Sequence, residues 1–423
     1  MEVLHPSGYA PTSDPSLADL IIINTCSVRE KSQGKVLSAI GRYARLKHST
    51  PNLLLAVAGC VAQQEGQRLL SAAPAVDLVF SPDHIASLPA LLQEAWSHQL
   101  VQTGFTDPAD YQFLRAAPSG SSGPTALVTI QKGCDNACSY CIVPSVRGPC
   151  VSRPMEEILE EIRGLVAAGA KEVTLIGQNV NAYRGARNRT TDFVELLRAV
   201  DHIDGLWRTR FTTSHPKDFH ADLPECFKEL RTLCPWLHLP LQSGSSRVLT
   251  LMGRGYSRQE YIERLQAVRA ARPDVTLGTD LIVGFPRESE ADFLETVSLV
   301  EQIQFDYAYS FKFSVRPGTA AADLDDDVEE EEKRRRLSHL QTVQDRITRS
   351  RLAELVGRSV HVLVEGPSRK GLPQLCGRTP GNQVVNLDNP ELLVGQMVEV
   401  EITRAGRHSL TGTSTRNVEA VQC

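Results

Sequence analysis

Apolar runs of strand length alternate with helical patterns through most of this 423-residue sequence, and this alternation limits the possible folds more than any other feature. Six strand candidates occur in series: ALVTIQKG (126–133), EVTLIGQN (172–179), WRTRFTTS (207–214), WLHLPLQ (236–242), VTLGTDLIVG (275–284) and YAYSFKF (307–313). Helical patterns lie between them. Six β/α units in series predict an incomplete (β/α)6 barrel with its active site at the carboxyl ends of the strands.

The segments before and after this series have different patterns. ADLIIINTC, LLLAVAGC and AVDLVFSP each precede a helical pattern, which predicts an α/β domain with a parallel sheet. RAAPSGSSGPT (115–125) has the composition of a linker. From residue 357 onwards, short β-like runs separated by Gly, Asn and Pro predict a small all-β barrel or sandwich. Such barrels often bind oligonucleotides, but they can equally be structural appendages.

Composition narrows the class of protein. The formal net charge is −5, so there is no overall basic excess and any nucleic-acid surface must be local. No apolar run approaches the length of a membrane span. The first residues, MEVLHPSGYAPTSDPS, do not have the pattern of a signal peptide, and the ten cysteines then indicate metal binding or catalysis in a reducing compartment.

Three cysteines carry the strongest chemical signal. Cys134, Cys138 and Cys141 form a CxxxCxxC motif that begins where the first barrel strand ends. Three thiolates within eight residues can hold three irons of a [4Fe–4S] cubane and leave the fourth iron open to a small molecule. Zinc is the alternative, although structural zinc normally takes four ligands in paired CxxC spacing. Cys150, nine residues further on in a predicted loop, is a candidate fourth ligand.

Two further cysteines share a position in the N-terminal sheet. Cys26 follows the strand IIINT, and Cys60 follows the strand LLLAVAG. Because the strands are predicted to be parallel, both thiols should lie at the same carboxyl edge, where ligands bind. Two unrelated core cysteines would not need to share that edge.

Several motifs together resemble the radical S-adenosylmethionine (SAM) methylthiotransferases. These are GCDNACSYCIVPSVRG, TLIGQNVNAY, TSHPKDF, HLPLQSGSSRVLTLMGRGYSR, TDLIVGFPRESEADF and FKFSVRPGTAA. INTCSVREK and VEGPSRKGLPQLCGRT resemble the MiaB-type tRNA branch of that family. The resemblance implies a methylthiotransferase N-terminal domain (1–114), the linker (115–125), a radical SAM core (126–350) and a C-terminal TRAM domain (354–423).

The resemblance also implies cofactors and site residues. SAM would chelate the open iron of the Cys134, Cys138 and Cys141 cluster, which makes these three cysteines catalytic. The cofactor-binding candidates share a position at or near the ends of barrel strands; they are Gln178, Asn179, Thr212, Ser214, Gln242, Asp280 and Ile282. Their structural alternative is to satisfy backbone groups or, for Ile282, to fill the core. His238 is expected to be a core histidine, whereas Arg147 and Arg153 are candidates to meet a phosphate or the SAM carboxylate.

A second [4Fe–4S] cluster is implied for the N-terminal domain. Cys26 and Cys60 match its second and third ligands, but the sequence has no cysteine before Cys26. The expected first strand is also missing, which favours a truncated start over a lost ligand. Two thiolates alone are expected to hold a cubane poorly.

The implied activity is methylthiolation of C2 of N6-isopentenyladenosine next to the anticodon of tRNA. An electron donor of the flavodoxin type and a sulfur donor would be further partners, and no membrane partner is expected. The alternatives are a methylthiotransferase acting on threonylcarbamoyl-adenosine or on a ribosomal protein, and an RNA-binding paralogue deficient in sulfur insertion. The expected location is the cytoplasm, with an organellar destination left open by the missing start.

Overall fold

The computed structural model describes residues 3–27, 31–115, 123–185, 191–368, 374–389 and 391–418. Most of the predicted linker (115–125) falls outside these ranges, as does part of each of the two segments INTCSVREK and VEGPSRKGLPQLCGRT. Among the helices of the described ranges, none has the length and apolarity that a bilayer crossing would require.

The N-terminal unit is a four-stranded parallel sheet in the order β1-β2-β3-β4. Its strands are β1 (Leu20–Thr25), β2 (Leu54–Gly59), β3 (Leu78–Phe80) and β4 (Leu100–Gln102). Its helices are α1 (Lys31–Ser49), α2 (Cys60–Glu65), α3 (Gln67–Ala72) and α4 (Leu88–Ala95). Alternate residues of β2 pack into two apolar clusters on opposite faces of the sheet, which explains the continuous apolar run in the sequence.

Two details differ from the predicted pattern of this unit. The segment VAQQEGQRLLSAAP is two short helices, because Gly66 adopts φ 46° and ψ −120° between them. The fourth strand, β4, has three residues, too few to give a recognisable strand pattern.

The central unit contains six parallel strands in two three-stranded sheets, with an antiparallel hairpin inserted after the first strand. Its strands are β5 (Thr125–Thr129), β6 (Gln131–Lys132), β7 (Val151–Ser152), β8 (Glu172–Ile176), β9 (Arg208–Phe211), β10 (Trp236–His238), β11 (Thr276–Val283) and β12 (Tyr307–Lys312). The sheets β5-β8-β9 and β10-β11-β12 are joined by a parallel bridge between Thr209 and Leu233. No pairing within the described ranges links β5 to β12, so the barrel is open on one side.

Helices surround the outside of this open barrel. They are α5 (Val143–Arg147), α6 (Met155–Ala167), α7 (Phe193–Asp201), α8 (Leu223–Glu229), α9 (Ser246–Leu251), α10 (Arg258–Ala271), α11 (Glu290–Ile303) and α12 (Glu330–Ala353). Capping boxes start α7, α10 and α11, and the acidic run in the sequence supplies the first turn of α12. One large apolar cluster joins helices α6 to α12 to the strands, whereas α5 packs against Cys60 of the N-terminal unit.

The C-terminal unit is a closed five-stranded barrel in the order β13-β14-β15-β17-β16. Its strands are β13 (Ser359–Pro367), β14 (Leu375–Arg378), β15 (Val384–Leu387), β16 (Met397–Ala405) and β17 (Leu410–Val418). Two buried arginines of β9 hold it in place. Arg208 donates to the carbonyls of Arg378 and His361, and Arg210 donates to those of Thr379 and Pro380. The predicted α/β fold class, with an incomplete barrel and a small C-terminal β-barrel, is confirmed.

Candidate active site

The CxxxCxxC loop begins directly after β6 and ends at α5. Gly133 starts it with φ 75°, and a Cβ on this residue would lie 1.9 Å from the carbonyl oxygen of Pro149, so only glycine fits. The middle of the loop is held by Ser139, whose amide donates to the Met252 carbonyl at 2.9 Å and whose hydroxyl donates to Leu251. The motif is therefore a fixed loop at the carboxyl end of the barrel, where the sequence predicted the chemistry.

The three thiols of this loop lie near one another. Burial raises the pKa of Cys134, and it raises the pKa of Cys141 to about 11. The neighbouring thiols add to both shifts, because two thiolates repel each other at close range. Bound iron would remove this penalty, so the donor set suits a cationic metal cluster.

Within the described ranges, no group of three or more His, Cys, Asp or Glu side chains has the arrangement that a single metal ion needs. Ligands of one zinc ion share one coordination sphere, whereas each cysteine of a cubane binds a different iron. Three thiolates in one loop are the donor set of a cubane with one open iron, whereas structural zinc normally takes four ligands.

Two N–H donors surround the sulfur of Cys138. Arg254 Nη1 lies 3.4 Å from Cys138 Sγ, and His215 Nε2 lies 3.4 Å from the same atom. Burial, followed by the charge of Arg254, lowers the pKa of His215 to about 2, so the ring is neutral. The backbone amide of Lys217 donates to His215 Nδ1 at 3.1 Å, which leaves the ring proton on Nε2, facing the sulfur. Both contacts fix the position of the Cys138 sulfur by hydrogen bonding.

Cys150 lies beside the loop but has its own partners. Gln131 Nε2 donates to Cys150 Sγ at 3.0 Å, and the Cys150 amide donates to Asp135 Oδ1 at 2.8 Å. Burial raises the pKa of the Cys150 thiol, and the charges of Asp135 and Cys134 add to the shift. Its role as a fourth ligand stays open and is tested by a substitution below.

Gln178 and Asn179 hold the cluster loop through a hydrogen-bond network. The Gly133 amide donates to Gln178 Oε1 at 2.6 Å, and the amides of Gln178 and Asn179 donate to Gln131 Oε1 at 2.9 and 3.1 Å. Asn179 Nδ2 donates to Asp218 Oδ2 at 2.6 Å. These two candidates therefore fix the loop from the adjacent strand end, and their contacts to SAM remain a prediction.

The other candidate residues take three kinds of position. Ser214 is buried, and its hydroxyl has no hydrogen-bond partner among the described residues, so it is available to a ligand. Thr212 lines a large cavity that continues into the barrel. Gln242 has φ 73°; its amide donates to the Asp280 carbonyl, and its own carbonyl accepts from the Ile282 amide, which extends the pairing of β11.

Asp280 and Ile282 alternate with the core residues of β11. Asp280 Oδ2 lies 3.4 Å from His238 Nε2, and Ile282 packs in an apolar cluster that also contains Tyr140 of the cysteine loop. His238 is buried and paired, as predicted for a core histidine. Arg153 is enclosed and paired with Glu161, so it has no exposed surface for the predicted contact with a phosphate or with the SAM carboxylate.

Three residues of this site carried no separate signal in the sequence analysis. Gln131 bridges the loop to β8, Asp218 accepts from Asn179 and Asn136, and Arg254 reaches Cys138. Asp218 belongs to the segment TSHPKDF, and Arg254 belongs to HLPLQSGSSRVLTLMGRGYSR. Both segments carry the family resemblance. The charge of Asp218 and of Arg254 within these two segments is the signal in the sequence that marks them.

The N-terminal cysteines lie at one edge of their sheet. The parallel register pairs Thr25 with Gly59, so Cys26 and Cys60 follow on adjacent strands. Cys26 is exposed, whereas Cys60 is buried against Ile142 and Val146, and Arg147 Nε donates to its sulfur at 3.3 Å. This edge therefore contacts the helix that follows the barrel cysteines. Residues 1–115 contain only these two cysteines, so the thiols present are one short of the implied three.

Replacing Gly59 with alanine is expected to disrupt this edge. Gly59 has φ 97°, and an added Cβ would lie 2.2 Å from the carbonyl oxygen of Thr25. We expect the free energy of unfolding to fall by at least about 2 kcal/mol, measured by urea denaturation. Gly41→Ala in α1 is the matched control, since nothing lies within 4 Å of its added Cβ; it should be stabilising by about 0.5–1 kcal/mol. Equal effects of the two substitutions would contradict this account of Gly59.

Curated relatives match nearly the whole chain. A tRNA-2-methylthio-N(6)-dimethylallyladenosine synthase of Geobacter metallireducens is 48% identical over 411 residues, covering 97% of this chain and 93% of the relative. A synthase of the same name from Aeromonas salmonicida is 45% identical over 412 residues, covering 97% and 86%. The chain belongs to the family of tRNA-2-methylthio-N(6)-dimethylallyladenosine synthases. The predicted family is thereby confirmed.

Family models and solved structures agree with this assignment. The Radical SAM superfamily model matches residues 128–300, the model described as Uncharacterized protein family UPF0004 matches 1–81, and the TRAM domain model matches 353–414. The structure of a radical S-adenosylmethionine methyltransferase from Kitasatospora setae has a TM-score of 0.54 at 13% identity, covering 76% of this chain and 66% of that protein. At that identity the likeness concerns the fold alone.

Proposed function

We propose that this protein is a radical SAM enzyme that methylthiolates C2 of N6-isopentenyladenosine next to the anticodon of tRNA. The product would be 2-methylthio-N6-isopentenyladenosine. The names of the relatives support this reaction. The observation that carries the proposal is the fixed CxxxCxxC loop at the carboxyl end of the open barrel, with two N–H donors aimed at Cys138.

The proposed cofactors are a [4Fe–4S] cluster on Cys134, Cys138 and Cys141, and SAM. When bound, they supply a 5′-deoxyadenosyl radical. Arg254 and His215 would hold the Cys138 sulfur in place by hydrogen bonds. The hydroxyl of Ser214, which has no partner among the described residues, would be available to SAM. The remaining SAM-binding candidates are Gln178, Asn179, Thr212, Gln242, Asp280 and Ile282.

A radical intermediate needs a site that excludes water. Ile282 and Tyr140 pack in one apolar cluster under the cysteine loop, together with the buried Val248 and Phe285. This cluster seals the base of the loop on the side of α9. The target adenine must be unstacked from the anticodon loop to reach this depth, as recognition of single-stranded RNA commonly requires.

The N-terminal edge is proposed as the place where sulfur is supplied. Cys26 and Cys60 do not complete a cubane by themselves, so we assign no chemical step to a cluster there. The contact between Arg147 and Cys60 brings this edge against the helix that follows the barrel cysteines. A sulfur donor and an electron donor of the flavodoxin type are the proposed protein partners, and the cytoplasm is the proposed location.

The reaction can be tested in a bacterial strain that lacks its own methylthiotransferase and accumulates N6-isopentenyladenosine. Expression of this protein should restore the 2-methylthio nucleoside, measured by mass spectrometry of tRNA nucleosides, and Cys141→Ser should not restore it. Methylthiolation of threonylcarbamoyl-adenosine instead would assign the protein to another branch of methylthiotransferases. Unchanged tRNA, with soluble protein present, would overturn the proposal.

A further inference from the structure

A cavity of about 1360 Å³ lies inside the open barrel, and all six parallel strands contribute residues to its lining. It extends from Thr212, just beyond the carboxyl end of β9, to Thr276 at the start of β11. Residues of α12 line it on one side, and Gln383 and Arg378 of the C-terminal barrel line it at the far end. Sites for single small molecules usually measure about 300–1000 Å³, so this cavity can take a larger ligand.

The edge strands on both sides of the opening present apolar side chains to this cavity. Tyr309 of β12 is 55% exposed, and Leu127 of β5 is 64% exposed. The Tyr309 ring contacts two other rings, Tyr307 at 5.6 Å and His238 at 6.1 Å between centroids. A large aromatic ring that is held on one side and exposed on the other in a concave site is a platform for a flat ligand.

The charges on and around the lining nearly cancel, so they do not exclude an anionic chain. Six acidic residues line the cavity, and five arginines pair with them, because Asp306 and Glu354 share Arg351. The other four acids, each with its own arginine, are Glu172, Asp274, Asp345 and Glu365. In the described part of the chain, the exposed Arg358 on the same lining forms no ion pair. The lining therefore presents little uncompensated negative charge to phosphates.

We propose that this cavity receives one or more bases of single-stranded RNA that flank the modified position, with Tyr309 as the stacking platform. The inference rests on the proposed tRNA substrate. A nucleobase has a flat π-face and a polar edge, which match the exposed ring and the polar groups of the lining. The lining includes Thr212, a candidate cofactor-binding residue just beyond the carboxyl end of β9, so a strand held at Tyr309 extends toward the end of the barrel that carries the cysteine loop.

The test measures RNA binding separately from turnover. A fluorescein-labelled anticodon stem–loop RNA carrying isopentenyladenosine is titrated with anaerobically reconstituted protein, and its dissociation constant is obtained from fluorescence anisotropy. Tyr309→Ala and Tyr309→Leu should weaken binding by about 5- to 150-fold, since both remove the aromatic face. Tyr309→Phe keeps that face and should bind within about twofold of the wild type. Thermal melting confirms that each variant is folded.

Trp96→Ala is the matched control, because Trp96 is another exposed aromatic residue but lies on the N-terminal unit outside the cavity. It should leave the dissociation constant unchanged. Equal affinity of Tyr309→Ala and wild type, with methylthiolation by the wild type intact, would overturn this inference and leave the proposed function standing. Loss of affinity in Tyr309→Phe would exclude stacking as the cause. If the wild type neither binds nor modifies the RNA, the proposed function is wrong and the inference falls with it.

Discussion

Replacing Lys132 with methionine is expected to lower the free energy of unfolding by about 3–5 kcal/mol. Lys132 lies on β6, immediately before the cysteine loop, and its Nζ is 2.5 Å from Asp83 Oδ2 of the N-terminal unit. The two side chains are only 5% and 2% exposed. Methionine fills a similar volume but leaves the Asp83 carboxylate buried without its cation.

The surroundings of this ion pair make it a contact between the N-terminal unit and the barrel. The Lys132 ammonium lies 4.4 Å from the centre of the Tyr111 ring, and Asp83 also accepts from the Thr106 amide at 3.0 Å. Both of these partners precede the barrel in sequence. Loss of the ammonium should therefore loosen the N-terminal unit from the cysteine loop as well as destabilise the fold.

Urea denaturation and limited proteolysis measure these two effects. The double variant Asp83→Leu, Lys132→Met should recover most of the stability, since it removes the buried charge together with its partner. Arg115→Met is the matched control, because the Arg115–Glu160 ion pair is exposed at both ends and should contribute less than about 1 kcal/mol. If Lys132→Met is as mild as Arg115→Met, the buried pair does not hold the two units together.

The overall architecture could be predicted because its signals are local. A strand that is covered on both faces gives a continuous apolar run, so β2 is visible in the sequence. The strands of the barrel are visible because they alternate with helical patterns and bury apolar residues against those helices. The elements that escaped prediction are those with few residues or a backbone-driven break. The strand β4 has three residues, the hairpin β6–β7 has two on each side, and the helix break at Gly66 depends on its dihedral angles.

The residues of the candidate site also differ in whether a local signal in the sequence reveals them. The three barrel cysteines could be predicted because their motif spans only eight residues and is therefore visible in the sequence itself. Gln131, Asp218 and Arg254 were not singled out, because each acquires its partner only when distant strand ends meet around the loop. The contact between Arg147 and Cys60, 87 residues apart, likewise depends on the packing of two units and has no local signature.

Replacing Cys141 with serine is expected to abolish the barrel cluster, whereas replacing Cys150 with serine is expected to preserve it. Cys141 lies in the loop with Cys134 and Cys138, and the three thiols affect one another electrostatically. The Cys150 sulfur instead accepts from Gln131 Nε2, a contact that a serine hydroxyl can keep. The pair of variants therefore separates a cluster ligand from a thiol that supports the loop.

The measurements are the iron and acid-labile sulfide bound per chain after anaerobic reconstitution, and the rate of 5′-deoxyadenosine formation from SAM. For Cys141→Ser we expect loss of the iron bound by the loop and a rate more than about 100-fold lower, beyond the usual effect of losing an outer-shell partner. Cys150→Ser should retain its iron and lose less than about tenfold in rate. Since Cys26 and Cys60 are unchanged in both variants, any difference in iron between them arises at the barrel loop.

The opposite result would change the chemistry assigned to the loop. If Cys150→Ser loses as much iron as Cys141→Ser, Cys150 is a fourth ligand, and no iron is left open to chelate SAM. Retention of iron by Cys141→Ser would instead remove Cys141 from the ligand set. If Cys141→Ser loses its iron and Cys150→Ser does not, the wild-type loop holds four irons with three thiolates. One iron is then open to SAM, as SAM cleavage at this loop requires.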